Sequence, residues 1–196
     1  EVFERYISEE QRPEIVRSGP DAVNFCATID GDMAGLLAKR EYLAGSNDAA
    51  YAQAKRACNL LHYPSCGLQA HLMIFKDIKV LRETESASKK RSAKNIAQRA
   101  YQNGDDGLSG LVLYDVMTSG LLGADVKKTN QLLNELLFKN VPGAKVREAG
   151  KCIKKFSFNA DCSAECAVID RALIDGKLDY ISRELALKYQ SKKRCQ

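Results

Sequence analysis

The amino-acid sequence predicts an all-α chain of stacked helical hairpins, a short α-solenoid. Three observations predict it. Apolar residues recur at helical spacing along most of the chain. Helix-forming Ala, Leu, Lys and Glu dominate, whereas Val, Ile and Thr rarely alternate with polar residues as a strand would require. A unit of helix, short polar turn and second helix recurs, and one such hairpin cannot bury its apolar face alone, so neighbours must stack. At 196 residues, 45% apolar and 28% charged, the chain suits a single domain over 1–196 and does not read as disordered.

The elements follow in order. Residues 20–29 open with Pro20 and Asp21, good first-turn residues, and place Ala22, Phe25, Cys26 and Ile29 on one face. Asp30-Gly31-Asp32 reads as a turn, and the next helix, 33–43, stops at Gly45. Ser46-Asn47-Asp48 reads as a capping cluster. Helix 49–61 carries the stripe Ala50, Ala54, Ala57, Cys58 and Leu61, and Tyr63-Pro64-Ser65 breaks it before its antiparallel partner, 66–75. Residues 76–92 are the least regular and read as an extension plus exposed helix. The stripe resumes over 93–101 through Ile96, Ala97 and Ala100, and 103–107 is a strong turn. Helix 108–117 follows. Asp125 caps another helix holding Leu132, Leu133 and Leu136 to Phe138, which Pro142-Gly143 ends. Three more helices occupy 144–156, 161–174 and 177–190.

Composition narrows the function. Lys plus Arg exceeds Asp plus Glu by 30 − 25 = 5, a mild positive balance with both signs mixed. The dense basic stretches, Lys89-Lys90-Arg91 with Lys94 and the tail Lys192-Lys193-Arg194, read as solvated helix faces or ends, so no nucleic-acid partner is expected. No apolar run reaches the ~18–20 residues of a membrane span, so a soluble chain is expected. It begins at Glu1 without Met or leader, which fits a processed mature chain or a trimmed one. Seven cysteines in a chain large enough to form a core without them favour an oxidising compartment. Metal binding is the competing explanation. Cys58 and Cys66 are eight apart, Cys152 and Cys162 ten, Cys162 and Cys166 four, with no CxxC, although His62 between Cys58 and Cys66 keeps a metal site open. Disulfides are expected, with neither metal nor cofactor, and the odd count leaves at least one thiol unpaired or paired between chains.

No catalytic motif emerges. Of two histidines, His62 sits by a turn and His71 reads as a satisfied core residue. Asp30/Asp32 and Asp105/Asp106 suit turns and caps. Gly104-x-x-Gly107-x-x-Gly110 lacks the preceding strand and the Lys-Ser/Thr of a phosphate loop. A small hydrolase using a Cys or an acidic pair is the alternative from another class.

Three segments align with one another: Phe25 through Gly45, Arg56-Ala57-Cys58 with Cys66 to Ala70, and Arg99 through Leu111 with Tyr114 and Gly120. Their Gly-Asp turn, their second helix opened by small residues and their trailing Gly resemble the Sel-one-like repeat family, relatives of tetratricopeptide repeats. Cys58 and Cys66 resemble its cysteine-rich bacterial branch. The resemblance covers 20–135, with a degenerate C-terminal repeat and capping helix over 140–196. It implies a disulfide stapling the two helices of a repeat, which falls on Cys58 and Cys66, with Cys152 and Cys162 the analogous pair. Cysteines flanking a tight turn do come within disulfide reach. Cys166 stands one turn after Cys162, so pairing with Cys152 or with Cys195 is open, and Cys26 is the expected buried free thiol. The family further implies a non-enzymatic protein-binding scaffold of the periplasm or extracellular space, an immunity protein neutralising a toxic effector or a secreted host-interaction factor. Mild basicity would suit an acidic face on that partner. Gln53, Arg56, Asn95, Gln98, Arg99 and Gln102, on the exposed sides of first helices, are the candidate contacts.

Overall fold

A computed structural model of the chain describes residues 30–105, 107–119, 125–154 and 161–192. The helix expected over 20–29, with Cys26, and the terminal Cys195 lie outside them. Among the described residues every helix of more than one turn is α-helical: α1 Gly31–Leu43, α2 Asn47–Asn59, α3 Tyr63–Phe75, α4 Ser86–Gln102, α5 Leu108–Thr118, α6 Val126–Phe138, α7 Pro142–Lys154, α8 Ser163–Ile174 and α9 Tyr180–Gln190. A 3-10 turn, Lys79–Leu81, lies in the 76–85 connection.

Each even-numbered helix packs on the odd-numbered helices that flank it, and α3 packs directly on α5. Odd and even helices therefore form two layers, the stacked-hairpin arrangement of a short α-solenoid. The alanine stripes explain the close layers. Ala50, Ala54 and Ala57 of α2 and Ala93, Ala97 and Ala100 of α4 are buried with almost no exposure. Small residues do the same between α3 and α5: a Cβ at Gly67 would stand 2.9 Å from the Ser109 backbone nitrogen, so only Gly permits this approach. The Ser109 hydroxyl then donates to the Tyr63 carbonyl at 2.9 Å.

The main core gathers Leu68 and Leu72 of α3, Leu111, Val112 and Val116 of α5, and Leu133 and Leu136 of α6. A second core joins Val146 and Ile153 of α7, Cys166 and Ile169 of α8, and Ala186 and Tyr189 of α9. Cys58–Cys66 ties the end of α2 to the first turn of α3, and Cys152–Cys162 ties the end of α7 to the residue that precedes α8. Both staples stand where the family resemblance put them. Since Cys152 is taken by Cys162, the Cys152–Cys166 alternative is excluded. Cys166 is itself disulfide-bonded, with its pairing outside the described residues.

Several boundaries differ from expectation, each for a local reason. Asp30-Gly31-Asp32 is the start of α1, because the Asp30 carboxylate accepts from the Asp32 and Met33 N–H groups at 2.8 and 3.2 Å. Ser46 stands at the N-cap of α2 without a capping bond, and Asp48 instead accepts from the Lys79 N–H at 2.7 Å, fastening the 3-10 turn. Helix α2 ends at Asn59, so Leu61 leaves the stripe, 70% exposed at φ 64°. Tyr63-Pro64-Ser65 starts α3, since proline in a first turn forfeits no helical hydrogen bond. Pro142-Gly143 likewise opens α7, and α6 ends earlier, before Asn140 at φ 55°. Helix α4 begins at Ser86, and Lys90, expected in solvent, is buried because it shares a face with Ala93 and Ala97.

Replacing Cys58 and Cys66 together by Ala is expected to remove about 2–3 kcal/mol of unfolding free energy, the loop-entropy value for a closure this short. Urea unfolding without reductant measures it; an unchanged midpoint would mean that α2 and α3 need no staple.

Candidate functional site

The geometry of the odd layer is set by α9. Asp179 caps it, its carboxylate accepting from the Ser182 N–H at 2.9 Å. From that start α9 lies beside α7 in the same direction: Gly143 faces Ser182 and Gly150 faces Tyr189. It also returns to α1, the first described helix. The Tyr180 ring packs on Tyr42 of α1, centroids 5.3 Å apart, and Ile181 enters the main core. Glu184 accepts from Lys76 Nζ, at the end of α3, at 2.7 Å, and from the Tyr42 hydroxyl. Odd helices pack on one another, α1 on α3, α3 on α5 and α7 on α9, whereas even ones do not do so closely. The odd helices thus form the inner layer and the even ones the outer, and α9 lies against the inner layer from α7 back to α1.

Arg147 of α7 is the buried charge beneath this junction, 3% exposed. Its Nε donates to Asp115 Oδ1 of α5 at 2.9 Å, and Nη2 donates to the other carboxylate oxygen. Nη1 donates to the Ser182 hydroxyl at 2.8 Å and to the Gly143 carbonyl at 3.1 Å. Burial opposes the guanidinium charge, but the Asp115 charge and hydrogen bonds outweigh it and raise the Arg147 pKa further. Neither residue was singled out from the sequence. The signal was there: Gly143 and Gly150 stand four before and three after Arg147, clearing its helix face for a neighbour.

Between α3, α5, α7 and α9 lies a cavity of about 370 Å³. Phe75, Ile181 and Leu185 give it apolar walls, and Lys76, Lys154, Lys188 and Lys192 line it with positive charge. Its two carboxylates, Asp115 and Glu184, are already paired with Arg147 and Lys76. Lys154 and Lys192 lie over the Tyr189 ring at 5.7 and 5.9 Å.

His71 forms part of the wall and is buried. Its Nε2 stands 3.3 Å from the Tyr42 hydroxyl. Burial first, then the bond to Glu184, pushes the Tyr42 phenol above its usual pKa, so it keeps its proton and donates it to Glu184. The Tyr42 oxygen can then only accept, which places the imidazole proton on Nε2. His71 Nδ1 is left as a buried acceptor without a hydrogen-bond partner. The expectation of a satisfied core histidine therefore holds for one ring nitrogen and fails for the other. Burial, with the Lys76 and Arg147 charges, pulls the His71 pKa down to about 3 against the opposing Glu184 charge. Glu184 is held below its ordinary value: burial works against its charge, but the bonds from Lys76 and Tyr42 prevail.

A second groove, about 830 Å³, runs between α1, the start of α3 and residues 178–183. It holds an Asp–His–Ser series: His62 Nδ1 is 2.7 Å from the Ser65 hydroxyl and Nε2 is 3.7 Å from Asp32. Ser65 lines the groove yet is only 3% exposed, and with His62 it packs the start of α3 against Gly35. Cys58 and Cys66, being bonded to each other, offer no thiolate to a metal beside His62. Among the described residues no group of three His, Cys, Asp or Glu side chains is placed to hold a metal ion, and no helix is long and apolar enough to cross a membrane.

The candidate contacts fall elsewhere. Gln53 and Arg56 lie on α2, and Asn95, Gln98, Arg99 and Gln102 on α4, all in the even layer away from α9. Arg56 and the four α4 residues are exposed, whereas Gln53 is half-buried with its Oε1 enclosed and without a partner. No family model matches this chain, and no curated protein and no solved structure matches it.

Removing the Asp115 carboxylate by Asp115→Ala is expected to cost about 3–5 kcal/mol, because Arg147 stays buried without its counter-charge. Asp115→Leu combined with Arg147→Met should recover most of that loss, as a buried ion pair replaced by apolar groups often does; urea unfolding of the three proteins reads both.

His71 also sets a pH dependence. An unfolded histidine titrates near ~6.5 and folded His71 near about 3, so between these values the unfolded chain binds the extra proton. The stability supplied by neutral His71 is complete above the unfolded value and is lost as pH falls toward the folded one. Going from pH 7 to pH 5 is expected to cost about 2 kcal/mol through this residue. The same step should cost His71→Phe less by that amount, and equal losses in the two proteins would contradict the assignment.

Proposed function

We propose that this chain is a non-enzymatic protein-binding scaffold of the periplasm or extracellular space, a divergent member of the Sel-one-like repeat family. One observation carries the reading: disulfide-stapled hairpins stack into two layers, and the outer, even layer leaves Arg56, Asn95, Gln98, Arg99 and Gln102 exposed. A stack of hairpins gives a broad surface of side chains on helices whose positions are fixed by packing, which suits recognition of another protein. Structural disulfides persist in oxidising compartments, which supports the location. The two arginines suit an acidic face on the partner. The narrower form of the proposal is an immunity protein that holds a toxic effector; a host-interaction factor would use the same surface.

A photo-crosslinking amino acid at Gln98 or Gln102, with the chain exported to the periplasm, is expected to give one discrete protein adduct. Arg56→Glu with Arg99→Glu should weaken that adduct about tenfold or more, the effect of reversing charge at an electrostatically matched contact. A toxic effector in the adduct selects the immunity form. Absence of any adduct, or an adduct indifferent to the two arginines, removes the outer layer as the binding face.

A further inference from the structure

Three helices share one end in the C-terminal half. Gly150, near the end of α7, faces Tyr189, near the end of α9. Cys152–Cys162 brings the residue before α8 to the same place. Cys166 stands one turn after Cys162 and shares the second core with Cys162, Ile153 and Tyr189. Gln190, the last residue of α9, donates to Asp170 Oδ1, one turn further along α8, at 2.8 Å. Helix α9 therefore finishes beside the stretch of α8 that carries Cys166.

Cys166 is disulfide-bonded, and the other described cysteines are bonded among themselves as Cys58–Cys66 and Cys152–Cys162. Two cysteines of the sequence remain as its partner, Cys26 and Cys195. Cys195 follows Gln190 by five residues, a reach of up to about 17 Å. Cys166 precedes Asp170 by four residues, about 6 Å along the helix. A disulfide asks for Cα atoms roughly 4.4–6.8 Å apart, so the tail has chain to spare. Cys26 approaches from elsewhere. It precedes Asp30 by four residues, and Asp30 caps α1 beside Leu60 and His62. Where α1 meets the C-terminal helices it meets residues 178–184, at the start of α9 and not at the end beside Cys166.

We propose that Cys166 pairs with Cys195 and that this bond pins α9 to α8 at both ends. The 175–179 connection holds the start of α9 to α8, and the disulfide holds its end. The two described staples join cysteines 8 and 10 residues apart, whereas this one spans 195 − 166 = 29 and encloses all of α9. It forms as the two thiols give up two protons and two electrons to a disulfide-carrying oxidant, which leaves as a dithiol. Cys26 is then the one free thiol of the chain. The pairing stands whether or not the outer layer binds a partner.

Peptide mapping of the oxidised full chain, denatured and alkylated without reductant and then cut with trypsin, tests the pairing by mass. Trypsin leaves Cys162 and Cys166 together on 156–171, Cys152 on 152–154, Cys195 on 195–196 and Cys26 on 18–39. The expected species joins 156–171, 152–154 and 195–196, with 18–39 alkylated. Cleavage after Glu165 should split it into one part holding Cys152 with Cys162 and another holding Cys166 with Cys195. Peptide 18–39 inside the cluster, or an alkylated 195–196, overturns the proposal. Thiol counts in denaturant give a second reading: one in the native chain, two in Cys195→Ser and none in Cys26→Ser. Exchange of the last two values would make Cys26 the partner. Hydrogen exchange reads the pinning. In Cys195→Ser the α9 amides should lose protection by roughly tenfold or more, and by more than those of α2, because an opened α9 gains freedom that the closed loop denies it. Equal α9 protection in the two proteins would remove the pinning.

Discussion

The packing of the C-terminal half depends on one buried cation. Arg147 cannot give up its charge, and removing it from water without compensation would cost more than the net stability of most domains. Its compensation comes from three helices together: two carboxylate oxygens from α5, a hydroxyl from α9 and a carbonyl from its own α7. The guanidinium fork has a fixed geometry, so these donors are met only at one relative placement of the three helices. A hydrophobic interface would tolerate sliding by a fraction of a turn, whereas this one penalises it with an unpaired charge. Gly143 makes the placement sterically possible, since a Cβ there would stand 2.3 Å from the Ser182 hydroxyl.

Where α9 is placed decides the character of the inner layer. Held at Arg147, it carries Glu184 to Tyr42 and Lys76 and so joins the last helix to the first described one. A repeat array whose units touch only their neighbours has stability that is largely a sum of local terms. The contacts of α9 with α1 add a long-range term to that sum and couple the two ends of the described stack. The disulfides act on the other scale. Each joins a helix end to the start of the next across a short turn, restraining one hairpin locally and leaving the relation between hairpins to packing and to Arg147.

The sequence declared what repeats and concealed what occurs once. The alanine stripes of α2 and α4 and the small residues that open α5 mark faces by periodicity, and those faces are buried as the periodicity requires. Cysteine spacing, read with the family resemblance, pointed to both described staples. Boundaries failed where one residue type serves two purposes. Proline and Gly-Asp read locally as interruptions at 30–32, 63–65 and 142–143, yet the same residues are good helix starts. The cavity was not legible at all. His71 belongs to an apolar helix, Lys76 to a connection, and Lys154, Lys188 and Lys192 to helix ends that look solvated taken singly. Nothing local says that α9 folds back to bring them together, because that depends on tertiary packing and on an ion pair 32 residues apart in the chain.

The return of α9 also bears on where recognition occurs. In an open array the inner layer is available to a partner, and the outer layer serves as support. Here Tyr180, Ile181 and Glu184 occupy the inner positions opposite α1 and α3, and displacing them would break the Lys76–Glu184 pair and expose Ile181. Macromolecular binding at the inner face would have to compensate for both losses before gaining anything. The outer layer carries no such cost, because Arg56, Gln98 and Arg99 are exposed already and sit on helices whose opposite faces are fully packed. What α9 leaves open beside the inner face is a cleft of about 370 Å³, at the small end of the roughly 300–1,000 Å³ range of small-molecule pockets and too small for a folded partner.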